Sequence, residues 1–298
     1  MKSTFPLRYL AIGLLAFLAA VPPLAAKEPQ RDLQYAEAGD VKLRLDLYMP
    51  DKTEPAPPLL VWIHGGGWRN GSKDRCPFAF LTGYGYAVAS VQYRLTEKAS
   101  FPAQIHDCKG AVRWLRAHAD EYGYNADKIG ALGISAGGHL VALLGVSGEM
   151  KELEGDVGGN LDQSSRVQAV LDMCGPTDFV LRLKTKPKSV NAPGSSVALL
   201  LGGPASENLE AARLASPAQH VTPDDAPLLI FHGADDPTVS PGQSEHLRDQ
   251  YLQQKLEATL EIIPNAGHVP KEYWDKTRRE MMLSFFDRHL KGKTKKPE

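Results

Sequence analysis

The sequence predicts an α/β fold, with a mostly parallel central sheet and helices on both of its faces. Two observations predict it. Short apolar runs of strand length alternate with longer segments whose apolar residues recur at steps of three and four. Two of those runs also end abruptly in glycine-rich turns, and sheets of this kind hold their ligands at the carboxyl ends of their strands. With 298 residues, 43% of them hydrophobic, the chain can enclose one full core.

In chain order, Leu59 to Ile63 is the first apolar run and stops at His64-Gly65-Gly66-Gly67. Tyr86 to Val91 is the second. From Pro102, the residues Ile105, Cys108, Val112, Leu115, Ala119 and Tyr122 mark an amphipathic helix with proline in its first turn. Lys128 to Ile134 is strand-like and runs straight into Ser135, and Ala136 to Val146 is a helix apolar on nearly every side. Further strands are expected at Val167 to Met173, Leu228 to Phe231 and Leu260 to Ile263. Helices are expected around Leu247, Tyr251 and Leu252, and from Trp274 to Leu290 with Met281, Met282, Phe285 and Phe286 as the core face. Gly148 to Arg166 and Arg182 to Leu209 are expected as loops or short helices near the site. Glu154-Gly155-Asp156 and Asn160-Leu161-Asp162 lack the spacing of a calcium loop and are expected as solvated turns.

Residues 1–26 have the layout of a secretory signal. Lys2 and Arg8 precede an apolar run from Leu10 to Val21, Pro22 and Pro23 break it, and Leu24-Ala25-Ala26 offers a cleavage site. The run is too short to span a bilayer as a helix. The expectation is therefore an exported, periplasmic or secreted protein without stable membrane insertion after cleavage, and a single domain over residues 27–298. A formal net charge of −1 argues against a nucleic-acid partner. The lysines at 291, 293, 295 and 296 are expected as a solvated tail. Three cysteines, Cys76, Cys108 and Cys174, allow at most one internal bridge and equally well three buried thiols, and none has metal-site spacing.

Gly133-Ile134-Ser135-Ala136-Gly137 joins a strand to a helix. A turn that sharp leaves no room for side chains beside the serine and lifts its hydroxyl out of the sheet, which suits a nucleophile. A serine attacking a carbonyl creates an oxyanion that needs preorganised donors. The backbone N–H groups of Gly66 and Gly67, on a loop that can come close to a ligand, and that of Ala136 are the candidates. No Lys-Ser or Lys-Thr pair follows the loop, so it is not a phosphate cradle. His64 precedes these donors and is expected to organise the loop with its side chain turned away from them.

The pairing of His64-Gly65-Gly66-Gly67-Trp68 with Gly133-Ile134-Ser135-Ala136-Gly137-Gly138-His139 resembles the α/β-hydrolase superfamily, in its hormone-sensitive-lipase-like and feruloyl-esterase-like (acetyl esterase) branch. Tyr93-Arg94-Leu95, Phe101-Pro102-Ala103-Gln104, Gly175-Pro176-Thr177-Asp178 and Ala215-Ser216-Pro217 extend the match, from about Asp46 to His268. The resemblance implies an α/β-hydrolase fold and a triad in the order serine, acid, histidine. His268, after the last strand and a short loop, stands where that fold places its base. The pattern His-Gly-x-x-Asp-x-x-Val from His232 to Val239 puts the acid on Asp236, with Asp235 and Asp178 as alternatives. His139 is expected to pack, and His220 has no convergent partner.

The implied function is a serine carboxylic-ester hydrolase that works through an acyl-enzyme and needs no cofactor. Its expected substrates are small-molecule or oligosaccharide esters, acetyl first and feruloyl second. Activity should rise near pH 6–7 as the base loses its proton. The alternatives are a serine peptidase of the prolyl-oligopeptidase type, against which the chain length and the extended glycine loop both argue, and a non-catalytic hydrolase-fold binding module. Oligomeric state is not legible.

Overall fold

The computed structural model describes residues 28–52, 54–148 and 150–292. The expected signal and Lys293, Lys295 and Lys296 lie outside them. Eight strands form one sheet: β1 (Gln30–Ala38), β2 (Val41–Tyr48), β3 (Pro58–Ile63), β4 (Ala87–Val91), β5 (Asn125–Ile134), β6 (Ala169–Met173), β7 (Leu228–Gly233) and β8 (Ala258–Ile263). Their order is β1-β2-β4-β3-β5-β6-β7-β8. The pairs β1–β2 and β2–β4 are antiparallel, and every pair from β4 to β8 is parallel.

The inner strands are buried on both sides. In β3, Leu59, Val61 and Ile63 join a core shared with the helices Ala103–Ala117, Ala136–Val146 and Gly242–Gln253. Leu60 and Trp62 point the other way, into a core closed by Phe285, Phe286 and Leu290 of the C-terminal helix, Lys276–Lys291. A strand covered twice reads as an apolar run, which is why β3 to β7 were legible; β8, at the sheet edge, is only partly buried and showed itself through Leu260, Ile262 and Ile263.

β1 and β2 are an addition to the expected sheet. β2 alternates Leu43, Leu45 and Leu47, all buried, with Lys42 and Arg44, both facing outward. That period of two marks a strand covered on one face only, and a search for continuous apolar runs passes over it. The lysine-rich end also differs from a wholly solvated tail: Lys291 closes the last helix, and its Nζ donates to Tyr84 O at 2.8 Å.

The two connectors expected near the site behave differently. The chain from 179 to 214 folds into four short helices, Phe179–Thr185, Pro187–Asn191, Ser196–Leu201 and Leu209–Leu214. Ser189, Ser196 and Val197 of this cap line the cavity above the strand ends. The chain from 150 to 166 instead packs on the Ala103–Ala117 helix, away from that cavity. Its Glu154 accepts from Lys109 Nζ at 2.9 Å and pairs with Arg113, two cations with side chains only 1% exposed. Glu154 is thus a counter-ion for a buried basic pair, not part of a solvated turn; Lys109 also donates to Ser147 O and Arg113 to Val157 O and Gly159 O. Among the described residues no helix is long and apolar enough to cross a membrane.

Stripping a buried charge of its partner is expensive. Glu154→Gln is expected to lower the unfolding free energy by about 3 kcal/mol, the low end for such losses because Glu154 is itself partly exposed. Urea titration of both proteins checks this; a loss under about 1 kcal/mol would show that the carbonyl contacts alone support the two cations.

Candidate active site

β5 and the Ala136–Val146 helix meet at Ser135, whose backbone takes φ 55° and ψ −116°. For a residue with a side chain this conformation costs roughly 1–3 kcal/mol and persists only where its surroundings impose it. They do so by crowding. A Cβ on Gly137 would lie 2.0 Å from Ile63 O, and one on Gly133 would lie 2.3 Å from Gly137 O. Ser135 N–H donates to Met173 O at 2.8 Å, so the turn is also tied to the end of β6.

The elbow turns the Ser135 hydroxyl to His268, with Oγ 2.9 Å from Nε2. His268 Nδ1 lies 2.6 Å from Asp236 Oδ2. The other carboxylate oxygen, Oδ1, accepts the backbone N–H groups of Thr238 at 2.8 Å and Val239 at 2.9 Å. Burial works against the charge on Asp236, but hydrogen bonds from His232, His268 and Val239 outweigh it and hold the carboxyl well below its ordinary pKa. Residues from three loops, after β5, β7 and β8, thus form one continuous hydrogen-bonded chain.

The glycine loop faces this chain across a cavity of about 700 Å³, lined among others by Gly66, Gly67, Ser135, Ala136 and His268. Gly66 has φ 112° and Gly67 φ 60°, and a Cβ on Gly66 would meet Asn70 O at 2.2 Å. The carbonyl of Gly66 accepts from Arg69 N and Asn70 N, closing the loop on itself. Ala136 opens its helix, so its N–H has no partner within the helix. His64 is buried and stacked on Tyr93 with ring centroids 4.4 Å apart, and its Nδ1 lies 2.8 Å from Gly65 O. It organises the loop, as expected.

Comparison with known proteins agrees with this architecture. The family model BD-FAE matches residues 45–251. The chain belongs to the BD-FAE family of α/β-hydrolases. It is similar to Esterase LipC of Mycobacterium tuberculosis, with 31% identity over 78% of this chain and 57% of LipC, so it spans little more than half of that relative. Among solved structures it resembles a truncated carbohydrate esterase from gut microbiota, with a TM-score of 0.81, 29% identity, and coverage of 89% of this chain and 97% of the other. A bifunctional GH43-CE protein of Bacteroides eggerthii gives a TM-score of 0.80 and 32% identity, over 88% of this chain and 38% of that one.

Within this BD-FAE site, the alternatives for the acid are occupied elsewhere. Asp235 is exposed. Asp178 caps the Phe179–Thr185 helix, accepting from Leu181 N at 2.7 Å, and its other oxygen receives Gln219 Nε2 and lies 3.2 Å from His246 Nε2. His139 is fully buried, accepts from Trp68 Nε1 at 3.2 Å and lies 2.7 Å from Ala215 O through Nε2. It therefore does more than pack, since it pins the end of the glycine loop to the elbow helix.

Two neighbours of the chain, His232 and Cys174, were given no role at the site by the sequence. His232 Nε2 lies 3.3 Å from Asp236 Oδ2 and 2.9 Å from Val239 O, and its Nδ1 meets Ser244 Oγ at 2.6 Å, so it braces the acid loop from within. The signal was its spacing of four from Asp236. Cys174, buried and with φ 49° at the end of β6, brings its sulfur near the Asp236–His268 pair. Ligand atoms of the three lie within 4.8 Å of one another, as in a metal site. The facing atoms of Asp236 and His268 already share a proton at 2.6 Å, which a cation would have to displace. All three cysteines are free thiols.

Burial disfavours a charged His268, yet the Asp236 carboxylate on Nδ1 and the Cys174 sulfur outweigh it and raise the pKa above its ordinary value. Only neutral imidazole accepts a proton, so any reaction that uses His268 as its base should have its rising limb of kcat/KM above the pH 6–7 expected from the sequence. Asp236→Asn should move that limb down and lower kcat by about 10⁴-fold, while Asp235→Asn stays within about twofold, as surface changes do. A limb unmoved in Asp236→Asn, or an equal loss in Asp178→Asn at matched stability, would contradict this arrangement.

Proposed function

We propose that the protein is a serine carboxylic-ester hydrolase acting through an acyl-enzyme. The observation that carries this reading is the unbroken chain from Ser135 Oγ through the His268 ring to Asp236 Oδ2, at 2.9 and 2.6 Å, facing the glycine loop. His268 Nε2 takes the hydroxyl proton as Oγ attacks the ester carbonyl. Asp236 keeps the ring's other proton on Nδ1 and stabilises the imidazolium. The N–H groups of Gly66, Gly67 and Ala136 receive the oxyanion, and loss of one such donor typically costs about 3 kcal/mol at the transition state. The tetrahedral species collapses as His268 returns the proton to the leaving alcohol. A water molecule, activated by the same ring, then releases the acid.

The substrates we propose are short acyl esters of carbohydrates, acetyl before feruloyl, met outside the cytoplasm by an exported enzyme. Three features support this. The similar solved structures carry the names carbohydrate esterase and GH43-CE. The cavity wall places Asn70, Ser189, Ser196 and Thr238 among its apolar residues, which suits an alcohol rich in hydroxyl groups better than a long acyl chain. The N-terminal sequence has the layout of an export signal.

Ser135→Ala is expected to remove nearly all hydrolysis of p-nitrophenyl acetate, leaving circular dichroism unchanged. Retention of a tenth of wild-type kcat would refute the nucleophile. Across p-nitrophenyl acetate, butyrate, octanoate and palmitate, kcat/KM should fall in graded steps, since each methylene in an apolar pocket is worth only about 1–3 kcal/mol. A higher kcat/KM on palmitate than on acetylated xylan oligomers would overturn the carbohydrate assignment and leave the esterase reading in place.

A further inference from the structure

The cavity also holds a buried cation that has no part in the steps above. Arg182, from the first short helix of the cap, lines the same cavity as Ser135 and His268 and is only 8% exposed. Burying a guanidinium is costly unless its charge and its five N–H donors are answered. Here they are answered poorly. Its two hydrogen bonds both leave from Nη2, to Ser189 Oγ and to Thr238 O, and both are 3.4 Å long. Burial disfavours the charged form of Arg182 and lowers its pKa, and the opposing field of Asp236 does not make up the difference. That carboxylate is already spent, with Oδ2 facing His268 and His232 and Oδ1 holding Thr238 N and Val239 N. Nε and Nη1 make no hydrogen bond, and the two long Nη2 contacts are weak enough for a ligand to displace.

The rest of the wall has the same sign. Arg69 also lines the cavity, anchored by Nη1 to Gly194 O at 3.2 Å, and no aspartate or glutamate lines it among the described residues. Two guanidinium groups line the wall, and the carboxylate acting on Arg182, Asp236, is tied to His268, His232 and its own loop. That leaves the lining cationic and suited to concentrate and orient an anionic substrate. A carboxylate matches a guanidinium edge in two parallel hydrogen bonds, here Nη2 with Nε or Nη1 once a long Nη2 contact is displaced, which a neutral hydroxyl cannot do.

We propose that Arg182 is a specificity residue that receives a carboxylate on the substrate, so that the preferred carbohydrate ester carries a uronic acid. This rests on the carbohydrate-ester reading above and narrows it.

The test compares an O-acetylated xylo-oligosaccharide bearing a glucuronic-acid branch with the same oligosaccharide after reduction of the carboxyl to an alcohol. Acetyl groups and chain length stay identical, and p-nitrophenyl acetate is run alongside. The wild-type protein should show kcat/KM at least about tenfold higher on the uronate. Arg182→Met should bring the ratio of the two toward one, and Arg182→Lys, which keeps a point charge but not the fork, should hold an intermediate ratio. A merely structural arginine would lower both substrates together and leave the ratio intact, which would overturn the proposal. So would a wild-type ratio near one, and that comparison decides even if Arg182→Met does not fold. Equal cleavage of both oligosaccharides would leave the carbohydrate reading standing; cleavage of neither, with p-nitrophenyl acetate still hydrolysed, would remove both.

Discussion

The close approach between the start of the Ala136–Val146 helix and the end of β3 is the constraint on which the site depends. There is no room for a single carbon atom between Gly137 and the carbonyl of Ile63. Because the two elements touch, the Ser135 turn must take a left-handed φ, and the glycine loop that leaves β3 must pass directly in front of it. The helix cannot retreat, since it is also crowded on the side of β6, where a Cβ on Gly175 would lie 2.5 Å from His139 N. The strain at one serine is sustained by a sheet packed on both faces, and His139 joins the two halves by holding Trp68 on one side and Ala215 on the other.

Charge is distributed around this frame with unequal care. Asp236 is fully provided for, by two backbone N–H groups and by the His268 and His232 rings, and that provision keeps it ionised under its own burial. Lys109 and Arg113 share Glu154 far from the site and serve the fold. Arg182 is the exception, a buried cation with two long contacts inside the cavity. Structural ion pairs are usually complete, so an incomplete one facing a cavity directs attention to what enters it.

What could be read from the sequence follows from the same physics. The inner parallel strands were legible because burial on both faces thins out polar residues in them, and the elbow because only glycine tolerates its contacts. Asp236 was separable from Asp235 and Asp178 only through the His232-to-Val239 pattern, since three carboxylates in loops look alike until their partners are known. β1 and β2 were passed over because a strand covered on one face alternates, and Gly148 to Arg166 was placed near the site because a connector's sequence does not say which face it crosses. Arg182 could not be found at all. Its significance lies in partners it lacks, and a missing partner has no signature in sequence.

The central claim is that the Ser135–His268–Asp236 chain makes Ser135 a nucleophile, and covalent trapping tests it most directly. The protein would be treated with a fluorophosphonate at neutral pH and digested, and the labelled peptide identified by mass spectrometry, in parallel with His268→Ala. The account predicts stoichiometric labelling confined to Ser135 in the wild-type protein and labelling slowed by orders of magnitude in His268→Ala. Label on another residue, or equal labelling of the two proteins, would contradict it.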